Sequence, residues 1–333
     1  MGGSKRLARV GRNGDARRMT PLVPYVRRPD WSTDDTLVSA LAAAMVDFEV
    51  VPFDALDASR YDEVSVAVVD GPSADQLAKL PHLELVQSSW AGAEAVMPVV
   101  PDGVHVIRLV DPQMAETMSE AVLAWTLYLH REMPRYARQQ RAGEWRQHPI
   151  VHARDRRVGI AGLGILGTAA ARRLLAQGFA VAGWSRSSKQ IDGVSCYDGP
   201  AGLGAMLERS DIVVNLLPHT EATVGTFDAD RFATMPAGSA IINFGRGPTI
   251  DDGALLDALD RGHLDHAVLD VFDVEPLPAE HRFWDHESVT VLPHISAPTT
   301  VETAAVIAGE NIRRFLATGE LPTEGLVDRS RGY

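Results

Sequence analysis

Arg157-Val158-Gly159-Ile160-Ala161-Gly162-Leu163-Gly164-Ile165-Leu166-Gly167 joins a short, largely apolar segment to a G-x-G-x-x-G turn. Residues 157–161 predict a buried strand, and Thr168 to Gln177 predict a helix closed by Gly178 at its C-terminal cap. The glycines alone are a weak signal, because any glycine-rich bend can match the spacing by chance; the strand before them and the helix after them make it specific. A strand, a tight turn and a helix N-terminus form an anion site, since the first amides of a helix have no partner within it. Gly162 permits the turn, Gly164 lets the backbone approach a pyrophosphate, and Gly167 allows the helix to pack closely on the strand, with Ile165 and Leu166 lining the same bend.

Strand and helix patterns alternate on both sides of this unit. Upstream, strands are expected at Leu22-Val23-Pro24-Tyr25-Val26 and near Phe48–Phe53, Val64–Val69, Leu83–Gln87 and Val104–Leu109, with a helix over Asp34–Met45. Pro24 marks the first of these as an edge strand. Downstream strands are expected at Phe179–Trp184, Asp211–Leu216, Ser239–Asn243, His266–Phe272 and Val289–Leu292. Asp251-Asp252 and Gly262 bracket a helix between two of them. The long helical pattern from Met114 to Trp145, interrupted by Pro134, reads as a crossover and a dimer arm. The last helix, Val301 to Thr318, is placed to return to the first unit. The fold class is therefore α/β, with two Rossmann-like or flavodoxin-like parallel-sheet domains, the outer one discontinuous. Residues 19–117 and 298–333 are expected to form a substrate domain, and 118–297 a dinucleotide-binding domain.

With 333 residues and 45% hydrophobic content, the chain can bury two cores. A net charge of -12 argues against nucleic-acid or anionic-membrane partners while leaving room for a local basic pocket. Cys196 is the only cysteine, which excludes an intramolecular disulfide and a multi-cysteine zinc site and fits a cytoplasmic protein. No apolar run is long enough for a membrane span. Residues 1–18 carry Lys5, Arg6, Arg9, Arg12, Arg17 and Arg18 against Asp15, and read as a disordered leader, with Met19 as an alternative start.

In a dinucleotide fold the end of the second strand meets the adenine ribose, where a carboxylate selects NAD. Here that place holds Trp184-Ser185-Arg186-Ser187-Ser188-Lys189, with no acid; Asp192 falls too far along. Ser185, Arg186 and Lys189 suit the additional phosphate of NADPH, with NADH the lesser alternative. Arg246, just beyond a buried strand, offers a planar fork for a carboxylate and a charge to polarise a carbonyl. Glu275 and His294 lie in two later loops; a carboxylate on one imidazole nitrogen favours the protonated ring, whose other nitrogen can donate a proton. His281 and His286 lack a convincing set of partner ligands, so no metal is expected, and Ser185 lacks the surroundings of a nucleophile.

From about Val64 to Tyr333 the chain resembles the D-isomer-specific 2-hydroxyacid dehydrogenase family. The matching pieces are Trp90-Ala91-Gly92-Ala93, Gly162–Gly167, Trp184-Ser185-Arg186, Asn215-Leu216-Leu217-Pro218, the arginine loop, Leu269-Asp270-Val271-Phe272 and the Val327–Tyr333 tail. The resemblance implies a homodimer with its active site between the domains, His294 as acid/base paired with Glu275, and Arg246 on the substrate carboxylate and carbonyl. It also implies that Ala91 and Gly92 hold the carboxylate through their backbone, that Asp270 meets the nicotinamide carboxamide, that Leu217 and Pro218 border the adenosine, and that Thr223 faces the cofactor. The reaction so implied is NADPH-dependent reduction of a small 2-oxo acid, glyoxylate or hydroxypyruvate first. Its rivals are a dehydrogenase for a bulkier acid and a nucleotide-sensing, corepressor-like protein. Trp90 and Phe244 are bulkier than the family pattern, and both are expected at the pocket wall, where they bear on the substrate side chain.

Overall fold

The computed structural model describes residues 20–29, 36–330 and 332, so the expected leader lies outside the described residues. Strands β1 (Leu22–Arg27), β2 (Glu49–Pro52), β3 (Val66–Asp70), β4 (Leu85–Ser88) and β5 (His105–Ile107) form a parallel sheet in the order β2-β1-β3-β4-β5. Strands β6 (Arg157–Ala161), β7 (Ala180–Ser185), β8 (Ser195–Asp198), β9 (Ile212–Asn215), β10 (Ser239–Asn243), β11 (Leu264–Leu269) and β12 (Val289–Val291) form a second, in the order β12-β11-β10-β9-β6-β7-β8. The first is the flavodoxin-like order and the second the doubly wound Rossmann order, whose reversal beside β6 opens a crevice at the carboxyl ends of the strands.

β1 is not an edge strand: it lies between β2 and β3. The Glu49 amide donates to the Pro21 carbonyl, so by the alternation of the ladder the missing N–H of Pro24 falls on the β3 side. Pairing with β3 begins only at Tyr25, and the proline sits just ahead of it. The short edge strand β8, absent from the sequence-based expectation, is exposed at both ends and only half-buried at Cys196 and Tyr197, with no apolar alternation to mark it.

The crossover is one helix, Pro112–His130, capped at its start by the Asp111 side chain on the Gln113 amide. Glu132 takes a left-handed conformation that breaks the pattern, and Pro134 then opens a second helix, Met133–Ala142. Gly143 ends that helix, so Trp145 lies beyond it rather than within it. The expected boundary between residues 117 and 118 falls inside the crossover helix. Met114 packs with Leu109 and Ala304, whereas Met118, Val122 and Leu129 join the core of the second sheet.

The helix Val301–Thr318 returns to the first sheet, where Ala305, Ala308 and Ile312 pack with Val23, Tyr25, Leu41, Val66 and Val68. The tail follows it: the Val327 amide donates to the Val106 carbonyl on β5, and Arg329 reaches the carbonyls of Pro101 and Val104. The first and last described segments therefore both belong to the outer unit. Ile312→Ala, at a fully buried position, should lower stability by about 2–5 kcal/mol, whereas Val306→Ala, on the exposed face, should change it by less than about 0.5 kcal/mol. Urea unfolding followed by circular dichroism checks both.

Candidate active site

The glycine turn sits where β6 meets the helix Ile165–Ala176, which starts three residues earlier than its sequence pattern implied. Gly162 has φ 107°, and its amide and that of Leu163 both donate to the Trp184 carbonyl at the end of β7, at 2.9 and 3.1 Å. A Cβ on Gly167 would run into the Gly162 carbonyl oxygen, and one on Gly162 would come within 2.8 Å of the Leu216 carbonyl. These two glycines are demanded by close packing. Gly164 differs: it is exposed, a Cβ there would meet nothing within 4 Å, and as the residue before the helix it supplies no side-chain cap. The first helical amides thus face an open space, with Ile165 exposed and Leu166 half-buried beside it.

Beyond β7, Arg186 and Lys189 are both exposed and the chain carries no acid from Ser185 to Lys189; the nearest in register is Asp198, opposite Ser185 on the edge strand β8. Ser185 is buried and its hydroxyl donates to the Ser187 carbonyl at 2.8 Å, so it shapes this loop rather than projecting from it. Lys189 Nζ donates to the Leu163 carbonyl at 2.5 Å and ties the loop back to the glycine turn. The donor set fits a dinucleotide with an additional phosphate: an open helix N-terminus, a cradle that Cβ atoms would fill, and two cations where a ribose-binding acid would stand. Leu217 is buried behind the turn. Thr223 donates to the Pro218 carbonyl at 2.6 Å and so closes the bend that follows β9.

The arginine loop rests on a buried amide network. Asn215 donates to Asn243 Oδ1 and Thr249 Oγ1 at 2.9 and 2.7 Å, Asn243 Oδ1 accepts the Gly245 amide, and Asn243 and Thr249 both donate to the Arg246 carbonyl. Because each member is satisfied, the backbone of Arg246 is fixed. Phe244 is 3% exposed and packs in the core with Val158, Ile160 and Val268; the expectation that it lines the pocket wall is corrected by its position, since alternate residues leaving β10 point to opposite faces.

Arg246 Nη1 donates to the Gly245 carbonyl, and Nε donates at 2.5 Å to Glu94 Oε1, on the loop after β4. Sequence reasoning missed this acid. Its signal was its being the sole charge in the otherwise uncharged run Trp90–Val100. Burial pushes the Glu94 carboxyl up, but the Arg246 charge and hydrogen bond bring it below its ordinary value. A Cβ on Gly92 would strike both Arg246 Nη2 and the Glu94 carboxylate, so the backbone of Ala91-Gly92 lies against the guanidinium. Trp90 is half-buried, and its ring stands against Gly71 at the end of β3.

On the opposite side, His294 Nδ1 meets Glu275 Oε2 at 2.7 Å, while Glu275 Oε1 accepts the Phe272 amide. The bond to Glu275 raises the His294 pKa above its ordinary value, against the opposing effects of burial and of the Arg246 charge. Burial would raise Glu275, but the hydrogen bonds from His294 and Phe272 hold it below the usual carboxylate range. His294 has φ 54°, and the next two amides, of Ile295 and Ser296, donate to the two oxygens of buried Asp270 at 2.8 and 2.9 Å. Asp270 thus anchors the histidine loop. His281 and His286 instead face Asp252 and Asp260.

The NAD-binding-domain model of the D-isomer specific 2-hydroxyacid dehydrogenases matches residues 123–296. Glyoxylate/hydroxypyruvate reductase A of Yersinia enterocolitica is 39% identical over 275 residues, spanning 80% of this chain and 87% of that protein. The crystal structure of a D-isomer specific 2-hydroxyacid dehydrogenase from Xanthobacter autotrophicus Py2 with NADPH and MES superposes with a TM-score of 0.87 at 39% identity, covering 94% of this chain and 100% of that one. That of the NADPH-dependent glyoxylate/hydroxypyruvate reductase of Sinorhizobium meliloti with NADP and sulfate gives 0.84 at 37% identity, covering 94% and 99%. With its glycine turn, arginine loop and Glu275–His294 pair set at the ends of the inner sheet, the chain belongs to the D-isomer-specific 2-hydroxyacid dehydrogenase family.

Proposed function

We propose that this protein is an NADPH-dependent reductase of small 2-oxo acids, with glyoxylate and hydroxypyruvate as its foremost substrates. The observation that carries this reading is the Glu275–His294 bond, 2.7 Å long, with Arg246 close enough for its charge to act on both groups. When bound, the dinucleotide supplies the hydride that reduces the carbonyl carbon. The amides at the start of the helix Ile165–Ala176 hold its pyrophosphate, Arg186 and Lys189 its ribose phosphate, and Leu217, Pro218 and Thr223 border its adenosine side. For Lys189 this requires release of the Leu163 carbonyl, a neutral partner exchanged for a charged one. Asp270, fixed under the histidine loop, would meet the nicotinamide carboxamide.

The substrate carboxylate rests on the backbone of Ala91-Gly92 and on Arg246, whose outer N–H groups also polarise the carbonyl oxygen. Protonated His294 gives its Nε2 proton to that oxygen as charge develops there, and Glu275 stabilises the ring in the protonated form and fixes its orientation. Residues 19–117 and 298–333 act as the substrate domain and the intervening segment as the dinucleotide domain, with Leu109, Met114 and Ala304 of the first packed against Leu166 and Ala297 of the second. The protein works as a homodimer in the cytoplasm. Its arm, with Trp145 at 96% and Ile150 at 72% exposure, supplies the apolar surface for pairing. Among the described residues no helix is long and apolar enough to cross a membrane.

The first test is steady-state oxidation of NADPH and NADH with glyoxylate, hydroxypyruvate, pyruvate and a bulky 2-oxo acid. Efficient NADPH turnover with the first two is expected, and no turnover with any pair overturns the reading. His294→Ala should lower kcat by roughly 10²–10⁴-fold with little change in NADPH affinity measured by fluorescence. Reduction requires protonated His294, so kcat/KM should fall as pH rises through its raised pKa. Glu275→Gln removes the group that raises it and should shift that falling limb to lower pH. Arg186→Gln should raise KM for NADPH by roughly tenfold while leaving that for NADH nearly unchanged; an equal rise for both removes the phosphate contact.

A further inference from the structure

Arg246, in the role just proposed, already holds a carboxylate. Glu94 lies on its Nε edge at 2.5 Å and the Gly245 carbonyl takes one Nη1 hydrogen, so the guanidinium is held from both the inner and the outer domain. Both side chains are half-buried, with Arg246 at 30% and Glu94 at 28% exposure, so water screens this pair less than a fully exposed one. The Gly92 backbone lies directly against both, so the acid has little room to swing aside. His219 also lies close enough to act electrostatically on Glu94. Across the cleft His294 is likewise paired, with Glu275. When His294 is protonated, the charges of Arg246 and His294 are therefore balanced by Glu94 and Glu275 before any substrate arrives.

We propose that Glu94 sets the charge class of the substrate: as a built-in carboxylate on the Arg246 guanidinium, it admits 2-oxo acids carrying one negative charge and disfavours those carrying two. The inference rests on the reading of the cleft as a 2-oxo acid site. One substrate carboxylate is accommodated by the Ala91-Gly92 backbone and the remaining N–H groups of Arg246. A second, on the far side of the reacting carbonyl, meets the field of Glu94 and Glu275, whose counter-charges on Arg246 and His294 are already paired, while Arg108, with Nη1 3.4 Å from the Ala91 carbonyl, stands with the first carboxylate. A hydrogen or a hydroxyl in that place carries no such penalty, and a hydroxyl can donate to the carboxylate. Like charges ~6 Å apart in partly buried surroundings repel strongly enough for a discrimination of about tenfold or more.

Malonate and its monoamide, malonamate, have nearly the same shape, carry no carbonyl at the middle carbon to be reduced, and differ by one negative charge beyond the place of the reacting carbonyl, so their binding to the NADPH-loaded protein, measured by calorimetry, reads the charge preference without turnover. The wild type should bind malonamate about tenfold or more tightly than malonate; equal affinity, or a preference for malonate, overturns the proposal and needs no variant. E94Q should bring the ratio close to one or invert it, and E94D, which keeps the charge, should preserve it. In turnover, E94Q should raise kcat/KM for oxaloacetate relative to glyoxylate by about tenfold, through KM. A merely structural acid would weaken both anions alike and leave the wild-type ratio in place, which counts against the proposal. Failure of the wild type to reduce glyoxylate strikes the underlying reading, whereas intact glyoxylate turnover without a charge preference strikes only the role of Glu94.

Discussion

The grip of Asp270 on two successive amides is the interaction on which the site depends. A non-glycine residue in the left-handed region costs about 1–2 kcal/mol, and His294 occupies that region. The conformation persists because Ile295 and Ser296, immediately after it, donate to a buried carboxylate at the end of β11. The same strand end leads into Phe272, whose amide fixes Glu275. One short segment, 269–275, therefore sets the backbone of the acid/base residue and the position of its partner. The bond between the two side chains follows from geometry built in the main chain.

The same economy of support appears under Arg246. Its carbonyl is held by Asn243 and Thr249, and these are joined through Asn215 from the neighbouring strand. Charged groups project from the ends of parallel strands into the cleft, while the neutral amides and hydroxyls that aim them stay buried beneath. Burial works in opposite directions on the two kinds of group. It strengthens a satisfied hydrogen-bond network, and it makes each ionised side chain dependent on its counter-charge.

Much of this was legible in the sequence because local chemistry and global pattern agreed. The strand–turn–helix unit at 157–177, the αL stop at Gly178, the final helix Val301–Thr318 and the three loops carrying Arg246, Glu275 and His294 each had a residue-level cause that tertiary context did not override. The misses share another character. Pro24 lies in an interior strand because ladder alternation, a property of the neighbouring strands, decides which side loses a hydrogen bond. Phe244 is core rather than pocket for a reason of strand phase, and β8 is an edge strand without apolar alternation. Glu94 meets an arginine 152 positions away, a pairing that only the closure of two domains creates.

That closure is made by two crossings of the chain, near residues 108–118 and 297–301, and the second has a consequence for how the protein is built. One face of the outer sheet, with Val23, Tyr25, Val66 and Val68, is covered partly by the helix that starts at Thr36 and partly by Ala305, Ala308 and Ile312. On a ribosome those last residues leave the exit tunnel only after the entire dinucleotide unit has been made. The first-synthesised sheet waits with half of an apolar face open to water, while the inserted unit has all of its strands in hand. The inner domain is thus the part able to fold during translation, and the outer one, though it comes first in the sequence, is finished last.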